Sequence, residues 1–213
     1  MSLPSRTLRL AVATLTAVAV AALAGCSNDD NTNMPDMPGM DHGSTTASAA
    51  PSTSTSPATG SYNQADVMFA QMMIPHHEQA IEMSDIILAK DDIKPQVVDL
   101  ATQIKAAQGP EITIMRGWLT AWGQNASPSM SMDHGTGGGM MDQAAMDALQ
   151  KTSGDAAARL FLTGMIAHHQ GAITMAKQQI ANGQNPDAKQ LAQDIVDAQQ
   201  AEITTMNKLL QQL

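Results

Sequence analysis

Two pairs of adjacent histidines are the residues of this sequence best suited to carry chemistry. His76 and His77 form the first pair, and His168 and His169 form the second. Around each pair, apolar residues recur every three or four positions, which places His77 and His169 in the middle of an apolar helix face. A histidine on such a face is either a hydrogen-bonded core residue or a metal ligand. Each pair is therefore a candidate metal site with a structural alternative.

Two glutamates interrupt apolar helix faces in the same way. Glu111 and Glu202 each follow a histidine pair and each lie in a Gln-x-x-Glu-Ile segment. A buried carboxylate needs a partner, so these glutamates are candidate ligands, outer partners that orient a ligating imidazole, or acceptors in purely structural His–Glu pairs. Methionines one or two helical turns from the histidines add thioethers, although methionine at this spacing is often core filling. The predicted metal-binding residues of the folded part are His76, His77, Met72, Met73, Met83, Glu111, Met165, His168, His169, Met175 and Glu202.

Further methionines and histidines occur in segments where no core is predicted. These segments are rich in Ser, Thr, Pro and Gly, so core filling cannot explain their methionines. Thioethers are soft ligands that favour Cu(I) and need no deprotonation. Copper, as Cu(I), is therefore the predicted metal, and the alternatives are another transition metal or methionines that serve as an oxidant sink. The flexible candidate ligands are Met34, Met37, Met40, His42, Met130, Met132 and His134.

The elements that must position these residues occur in two copies, about 62–123 and 142–213. Met73-Ile74-Pro75-His76-His77 in the first copy aligns with Met165-Ile166-Ala167-His168-His169 in the second. The Gln-x-x-Glu-Ile segments follow in the same order, and each copy predicts a hairpin of two helices. Because one hairpin buries too little apolar surface, we predict an all-α fold in which two repeated hairpins form an antiparallel four-helix bundle.

Local features of the helices lead to three further expectations. A short extra helix is expected at about 142–151. Asp155 is expected to cap the third long helix. Pro110 lies immediately before Glu111, and the second copy has no proline there, so we expect a kink that displaces Glu111 relative to Glu202.

The N-terminal end of the chain predicts export and an anchor. Two early arginines and a short apolar run are typical of a signal peptide. Leu23-Ala24-Gly25-Cys26 resembles a bacterial lipobox, and Cys26 is the single cysteine of the sequence. We therefore expect Cys26 to carry lipid and to hold the protein on the extracytoplasmic face of the cell membrane. The predicted segments are a leader at 1–25, a disordered tether at 26–61 and a folded domain at 62–213, which contains a flexible linker at 124–141.

The composition argues against several classes of protein. The chain has 20 acidic and 11 basic residues and a net charge of -9, whereas a nucleic-acid partner requires a clustered basic face. Aromatic residues make up 2% of the chain and methionine occurs 17 times, which disfavours a β-sandwich or a barrel. The sequence has no Ser-His-Asp arrangement, phosphate-binding loop or reactive-cysteine motif, so we do not expect an enzyme.

The repeated motifs resemble those of one known family. The Met-Ile-x-His-His and Gln-x-x-Glu-Ile segments, in this order and in both copies, are similar to the bacterial domain of unknown function family 305. The resemblance covers about 62–213. It implies a ferritin-like four-helix fold, frequent export, and a link of Met/His-rich members to copper binding and copper tolerance.

Three classes of function remain open from the sequence. The leading hypothesis is a lipid-anchored extracytoplasmic protein that sequesters Cu(I) or hands it on to an unidentified partner. The second is a ferritin-like metal oxidase, but a di-iron bundle site needs Glu-x-x-His motifs. The residues three positions before the four histidines are instead Met73, Ile74, Met165 and Ile166. The third is a metal-free module that binds another envelope protein.

Overall fold

Five helices make up most of the part of the chain that the structure describes. The structure is a computed structural model, and it describes residues 60–126 and 138–213. The helices are α1 (Gln64–Leu88), α2 (Pro95–Ala121), α3 (Gln143–Lys151), α4 (Gly154–Asn182) and α5 (Pro186–Leu210). Within these ranges the structure has no strand, which confirms the all-α prediction, and α3 is the short extra helix expected at about 142–151.

The starts of the helices follow from local hydrogen bonds. At α1, the Asn63 side chain accepts from the backbone N–H groups of Ala65 and Asp66, while the Asp66 carboxylate accepts from the Asn63 backbone N–H. This reciprocal arrangement satisfies donors that the first turn leaves unpaired. The predicted cap of α4 is wrong, because α4 starts after Ser153 and Asp155 lies inside its first turn. There its negative charge lies at the positive end of the helix dipole.

The four long helices form two hairpins that pack against each other. In the first hairpin α1 contacts α2, and in the second α4 contacts α5. The hairpins meet mainly through α1 and α4, the contact between α2 and α5 is small, and α3 lies against α1 and α4. The Asn63 side chain donates to the backbone carbonyl of Asn182 at 2.9 Å, so the start of α1 lies beside the end of α4 and these helices are antiparallel. The predicted four-helix bundle is confirmed.

The apolar core of the bundle consists of two clusters. The first core cluster includes Ala80 and Met83 of α1 together with Met165 of α4. The second includes Met73 of α1 and Ala172 of α4. Along both central helices the histidine pairs lie between these clusters, and they therefore form a polar layer enclosed by apolar packing. None of the helices in the described ranges has the length and hydropathy needed to cross a bilayer.

Candidate metal centre

The four histidines lie at one level of the bundle, on its two central helices. His76 and His77 come from α1, and His168 and His169 come from α4. All four are buried, and none exposes more than 1% of its surface. The antiparallel packing of α1 and α4 brings the two pairs together, with the rings of His76 and His168 3.7 Å apart between centroids. The structure thus joins the two sequence motifs into one cluster.

Each of two histidines is held by a glutamate of its own hairpin. His77 Nε2 lies 2.7 Å from Glu111 Oε2, and His169 Nε2 lies 2.7 Å from Glu202 Oε2. The glutamate side chains are 19% and 20% exposed, so both carboxylates extend from the bundle core toward its surface. In both copies, a glutamate of the second helix therefore contacts a histidine of the first helix at the same distance.

The predicted displacement of Glu111 is wrong. Helix α2 continues through Pro110 without interruption. A proline removes one backbone donor from a helix, and this loss does not move Glu111 away from His77. The matched distances in the two copies show that the His–Glu contact is made equally with and without the proline.

The other two histidines are held by backbone carbonyls. His76 Nε2 lies 2.8 Å from the carbonyl oxygen of Gly138, and His168 Nε2 lies 2.8 Å from the carbonyl oxygen of His76. A carbonyl oxygen can only accept a hydrogen bond, so Nε2 must carry the hydrogen and donate it. In a neutral imidazole with a proton on Nε2, the lone pair is on Nδ1.

The Nδ1 atoms of all four histidines have the same environment. Each is buried and has no hydrogen-bond partner among the described residues. A buried polar atom without a partner costs about 1–3 kcal/mol, and among the described residues the same atom lacks a partner four times in this cluster. With Nε2 oriented by a carboxylate or carbonyl, each imidazole has the form in which histidine binds a metal through its other nitrogen.

Burial keeps two of these imidazoles neutral. Desolvation lowers the pKa of His76 from 6.5 to about 4, and repulsion by the positive forms of His77 and His169 lowers it further, while the hydrogen bond to Gly138 acts in the opposite direction. Desolvation also lowers the pKa of His168 well below its ordinary value, helped by repulsion from the three other histidines. At neutral pH both side chains therefore keep the lone pair that a metal needs.

A short segment before α3 covers the histidine cluster. This strap, residues 138–141, lies against both central helices. Gly139 has a φ of 75°, and a Cβ at this position would collide with the backbone carbonyl of Ala167. A Cβ at Gly171 of α4 would likewise collide with the carbonyl of Gly138. The close approach that places the Gly138 carbonyl on His76 therefore requires glycine on both sides.

Met141 fastens the other end of the strap. The Gln79 side chain donates to the Met141 carbonyl at 2.8 Å and accepts from the Met141 N–H at 2.8 Å. A Cβ at Gly164 would lie 2.7 Å from Met141 Sδ and 3.3 Å from Met83 Cε, so the missing side chain makes room for this thioether. The prediction of a flexible linker through residue 141 is wrong for the strap, because these contacts fix it on the bundle.

The strap is the part of the site that the sequence interpretation missed. One signal could have found it. Gly164 and Gly171 lie two turns apart on one face of α4, where the repeat has Met72 and Gln79 on α1. Two glycines at that spacing in a helix interior reduce helix stability, and they indicate that another backbone or side chain packs closely there.

The predicted methionine ligands fall into two groups. Met73, Met83 and Met165 are fully buried in the core clusters next to the histidine layer. Met72 and Met175 instead line a groove at the surface between α1 and α4. The structure therefore brings together the four histidines and two glutamates, but it does not place all five methionines in the interior.

The oxygen and nitrogen ligands alone do not form a ready-made metal cage. Within residues 60–126 and 138–213, no group of three or more His, Cys, Asp or Glu side chains is arranged to hold one ion. An ion at the histidine layer would therefore need thioether ligands as well, or a small rearrangement of the rings. The remaining predicted residues lie outside the described residues: Cys26, Met34, Met37, Met40, His42, Met130, Met132 and His134.

Comparison with known sequences identifies a matching family. The sequence model of the family described as Domain of unknown function (DUF305) matches residues 66–210. A curated relative, Uncharacterized protein L153 of Acanthamoeba polyphaga mimivirus, is 50% identical over 50 residues, which are 24% of this chain and 33% of the relative. The chain thus spans about a third of the length of that relative.

Solved structures share the fold. A DUF305 fragment from Deinococcus radiodurans is 32% identical, with a TM-score of 0.67, and the match covers 72% of this chain and 100% of the fragment. A DUF305 protein from Streptomyces coelicolor is 34% identical, with a TM-score of 0.64 and coverages of 70% and 91%. CopM in its Cu(I)-bound form is 34% identical, with a TM-score of 0.59 and coverages of 69% and 96%. CopM also has Cu(II)-bound, Ag-bound and apo structures.

Proposed function

Because this chain belongs to the DUF305 family, we propose that it binds copper as Cu(I) at the histidine layer and that it sequesters the ion or hands it on. The observation that carries this proposal is the set of four buried Nδ1 atoms without hydrogen-bond partners among the described residues. The similarity to CopM, which is known in Cu(I)-bound and Ag-bound forms, supports the choice of metal.

The chemistry of the layer favours a soft monovalent ion. Neutral imidazole and thioether suit Cu(I), whereas a hard divalent ion prefers carboxylate and water. The carboxylates of Glu111 and Glu202 contact the Nε2 side of their histidines, so they would orient the imidazoles and need not bind the metal. Cu(I) binding then uses Nδ1, with thioethers of the buried methionines Met73, Met83 and Met165 as additional ligands.

The same features argue against a ferritin-like oxidase. Di-iron chemistry needs several carboxylates that converge on the metals. In this bundle the buried layer contains imidazoles and thioethers, and its two glutamates reach the surface through partly exposed side chains. The proposed role is therefore binding and transfer of copper without catalysis.

The location of the protein forms a second part of the proposal. Lipidation of Cys26 would hold the bundle at the extracytoplasmic face of the cell membrane, and the Met/His-rich segments around Met37 and Met132 would capture Cu(I) there. We expect the wild-type chain to sediment with membranes, and Cys26→Ala to abolish normal processing and anchoring. Membrane fractionation with immunodetection measures both, and Cys26→Ala that remains processed and membrane-bound would contradict the anchor.

The histidine layer is tested by a paired substitution in the full chain. His77→Leu with His169→Leu removes two imidazoles and keeps the volume of both side chains apolar. A ligand that binds only the folded state raises its melting temperature, and we expect Cu(I) to raise that of the wild type by at least about 5 °C. The double variant should stay helical and lose this rise. Circular dichroism melts with chelator-buffered Cu(I) measure both.

A matched control uses two further buried polar residues that correspond to each other in the repeat. Gln108 and Gln199 are 2% and 3% exposed and lie one turn before the two glutamates. Gln108→Leu with Gln199→Leu should keep the full Cu(I)-induced rise, because it removes no imidazole. A full rise in the folded histidine double variant would contradict the proposed site.

A further inference from the structure

A groove at the surface between α1 and α4 contains three methionines. It has a volume of about 210 Å³, and Met68, Met72 and Met175 all contribute to its wall. Met68 and Met72 are one helical turn apart on α1, so their side chains lie on the same face. Met68 is 41% exposed, while Met72 and Met175 are half-buried. Three thioethers thus border one cavity that solvent can reach.

Among the described residues, the other side chains that line the groove carry no charge. They are apolar residues and the amides of Gln178, Gln179 and Asn182. A groove without carboxylate or imidazole in its lining offers little to a hard divalent cation. Thioether sulfur is the ligand type in this groove that selects a metal, and it selects soft ions such as Cu(I) and Ag(I).

The internal repeat provides an independent comparison. The residues of the second copy that correspond to Met68 and Met72 are Leu160 and Gly164, and Met83 corresponds to Met175. In that half the place of the missing side chain at Gly164 is filled by the Met141 thioether, which lies beside Met83. The equivalent position is therefore closed by a thioether of the strap in one half, whereas in the other half it is the open groove.

We infer that the groove of Met68, Met72 and Met175 is a second metal site, which binds Cu(I) at the surface through thioether sulfur. The inference rests on the proposed function, because it takes copper as the ion that the protein handles. Met72 lies one turn before His76, so an ion in the groove is close to the histidine layer. A site with weak, solvent-accessible ligands at this place is suited to receive Cu(I) before the buried imidazoles bind it.

The groove is tested in the full chain with ¹³C-methyl-labelled methionine and Ag(I), which is soft and does not change oxidation state. The methyl resonances of Met68, Met72 and Met175 should shift together on addition of Ag(I) and stay unchanged with Zn²⁺. The triple variant Met68→Leu, Met72→Leu, Met175→Leu should bind one equivalent of Ag(I) fewer than the wild type. Leucine conserves the volume of methionine, so the bundle should remain folded.

The control removes the same number of thioethers from the core. Met115, Met146 and Met206 are buried, and their triple replacement by leucine should leave the bound Ag(I) equivalents unchanged. Methyl resonances of Met68, Met72 and Met175 that do not respond to Ag(I) in the wild type would overturn the inference, whatever the triple variant does.

Failure of the groove can be distinguished from failure of the histidine layer. In the variant His77→Leu with His169→Leu, the groove methyl groups should still respond to Ag(I), because the groove uses no imidazole. If these methyl groups remain silent while Cu(I) still raises the melting temperature of the wild type, the groove proposal is wrong and the histidine layer stands. If the groove methyl groups respond to Ag(I) while Cu(I) does not raise the melting temperature of the wild type, the groove proposal stands and the histidine-layer proposal is wrong.

Discussion

At the scale of single residues, each of the four buried histidines has a partner on Nε2 and none on Nδ1 among the described residues. Burial keeps His76 and His168 neutral, and the partners on Nε2 direct the lone pair of each ring to Nδ1. No described residue donates a hydrogen bond to that lone pair, which costs stability in the metal-free protein. A bound metal ion would satisfy Nδ1 without displacing the Nε2 partners. Under the proposed function, the atoms that lack partners in the metal-free fold are the ones that the ion would occupy.

The depressed histidine pKa values predict how the stability of the metal-free protein depends on pH. His76 has a pKa of about 4 in the folded state, against 6.5 without the fold. Between these values the unfolded chain binds more protons than the folded one, so the free energy of unfolding falls as the pH falls from 6.5 toward 4. Each such histidine contributes a slope of at most about 1.4 kcal/mol per pH unit.

Urea denaturation at several pH values measures this slope. His76→Leu should reduce it, because one of the titrating groups is removed, whereas Gln199→Leu should leave it unchanged. If the free energy of unfolding depends on pH in the same way for the wild type and for His76→Leu in this window, the lowered pKa of His76 is contradicted.

At the scale of elements, the strap decides how the histidine layer is covered. Gly171 of α4 allows the Gly138 carbonyl to reach His76. Gly171→Ala should push the strap away and reduce the free energy of unfolding by about 1–3 kcal/mol, because added atoms do not fit a closely packed contact. It should also weaken Cu(I) binding, since His76 loses the acceptor that orients its ring.

A glycine of α2 provides the matched control for this prediction. Gly117 is a helical residue at which an added Cβ would meet no atom of another described residue within 4 Å. Gly117→Ala should therefore raise the free energy of unfolding by about 0.5–1 kcal/mol, as expected for removal of a flexible residue from a helix. Urea denaturation compares the two variants, and equal effects of both would exclude a special role of Gly171.

The sequence predicted the helical elements better than their irregular contacts. The repeat, the hairpins and the inward positions of His77 and His169 follow from apolar periodicity and from the alignment of the two copies. The expected effect of Pro110 failed because the rest of α2 continues its hydrogen bonding and packing through that position. The strap was missed because Gly-rich composition is typical of flexible linkers, and close backbone packing depends on the partner helix.

The methionines show the same difference between local and tertiary information. Periodicity places Met72 and Met73 one turn before the two histidines of the first pair, and both were predicted to reach the site. Adjacent residues of a helix point in different directions around its axis. In the bundle Met73 is therefore buried, while Met72 borders the surface groove. Which of two adjacent residues faces the core depends on how α4 packs on α1.

At the scale of the whole molecule, the two hairpins share the histidine layer and differ in the layer around it. The pseudo-equivalent His–Glu pairs give the interior a nearly symmetric site. The strap and the groove remove this symmetry, because one half is closed by Met141 and the other is open beside Met68 and Met72. This asymmetry is the arrangement that the proposed entry of copper from one side requires.

The central claim is that the Nδ1 atoms of the buried histidines bind the metal, and ¹⁵N spectra of histidine-labelled full-length protein test it directly. Two-bond ¹H–¹⁵N correlations distinguish the nitrogen that carries the proton from the one that carries the lone pair. In the metal-free protein at neutral pH, His76 and His168 should have the proton on Nε2. On addition of Ag(I) or Cu(I), Nδ1 resonances of the buried histidines should shift while Nε2 stays protonated. Metal-dependent shifts confined to His42 and His134, with the buried Nδ1 resonances unchanged, would contradict the account.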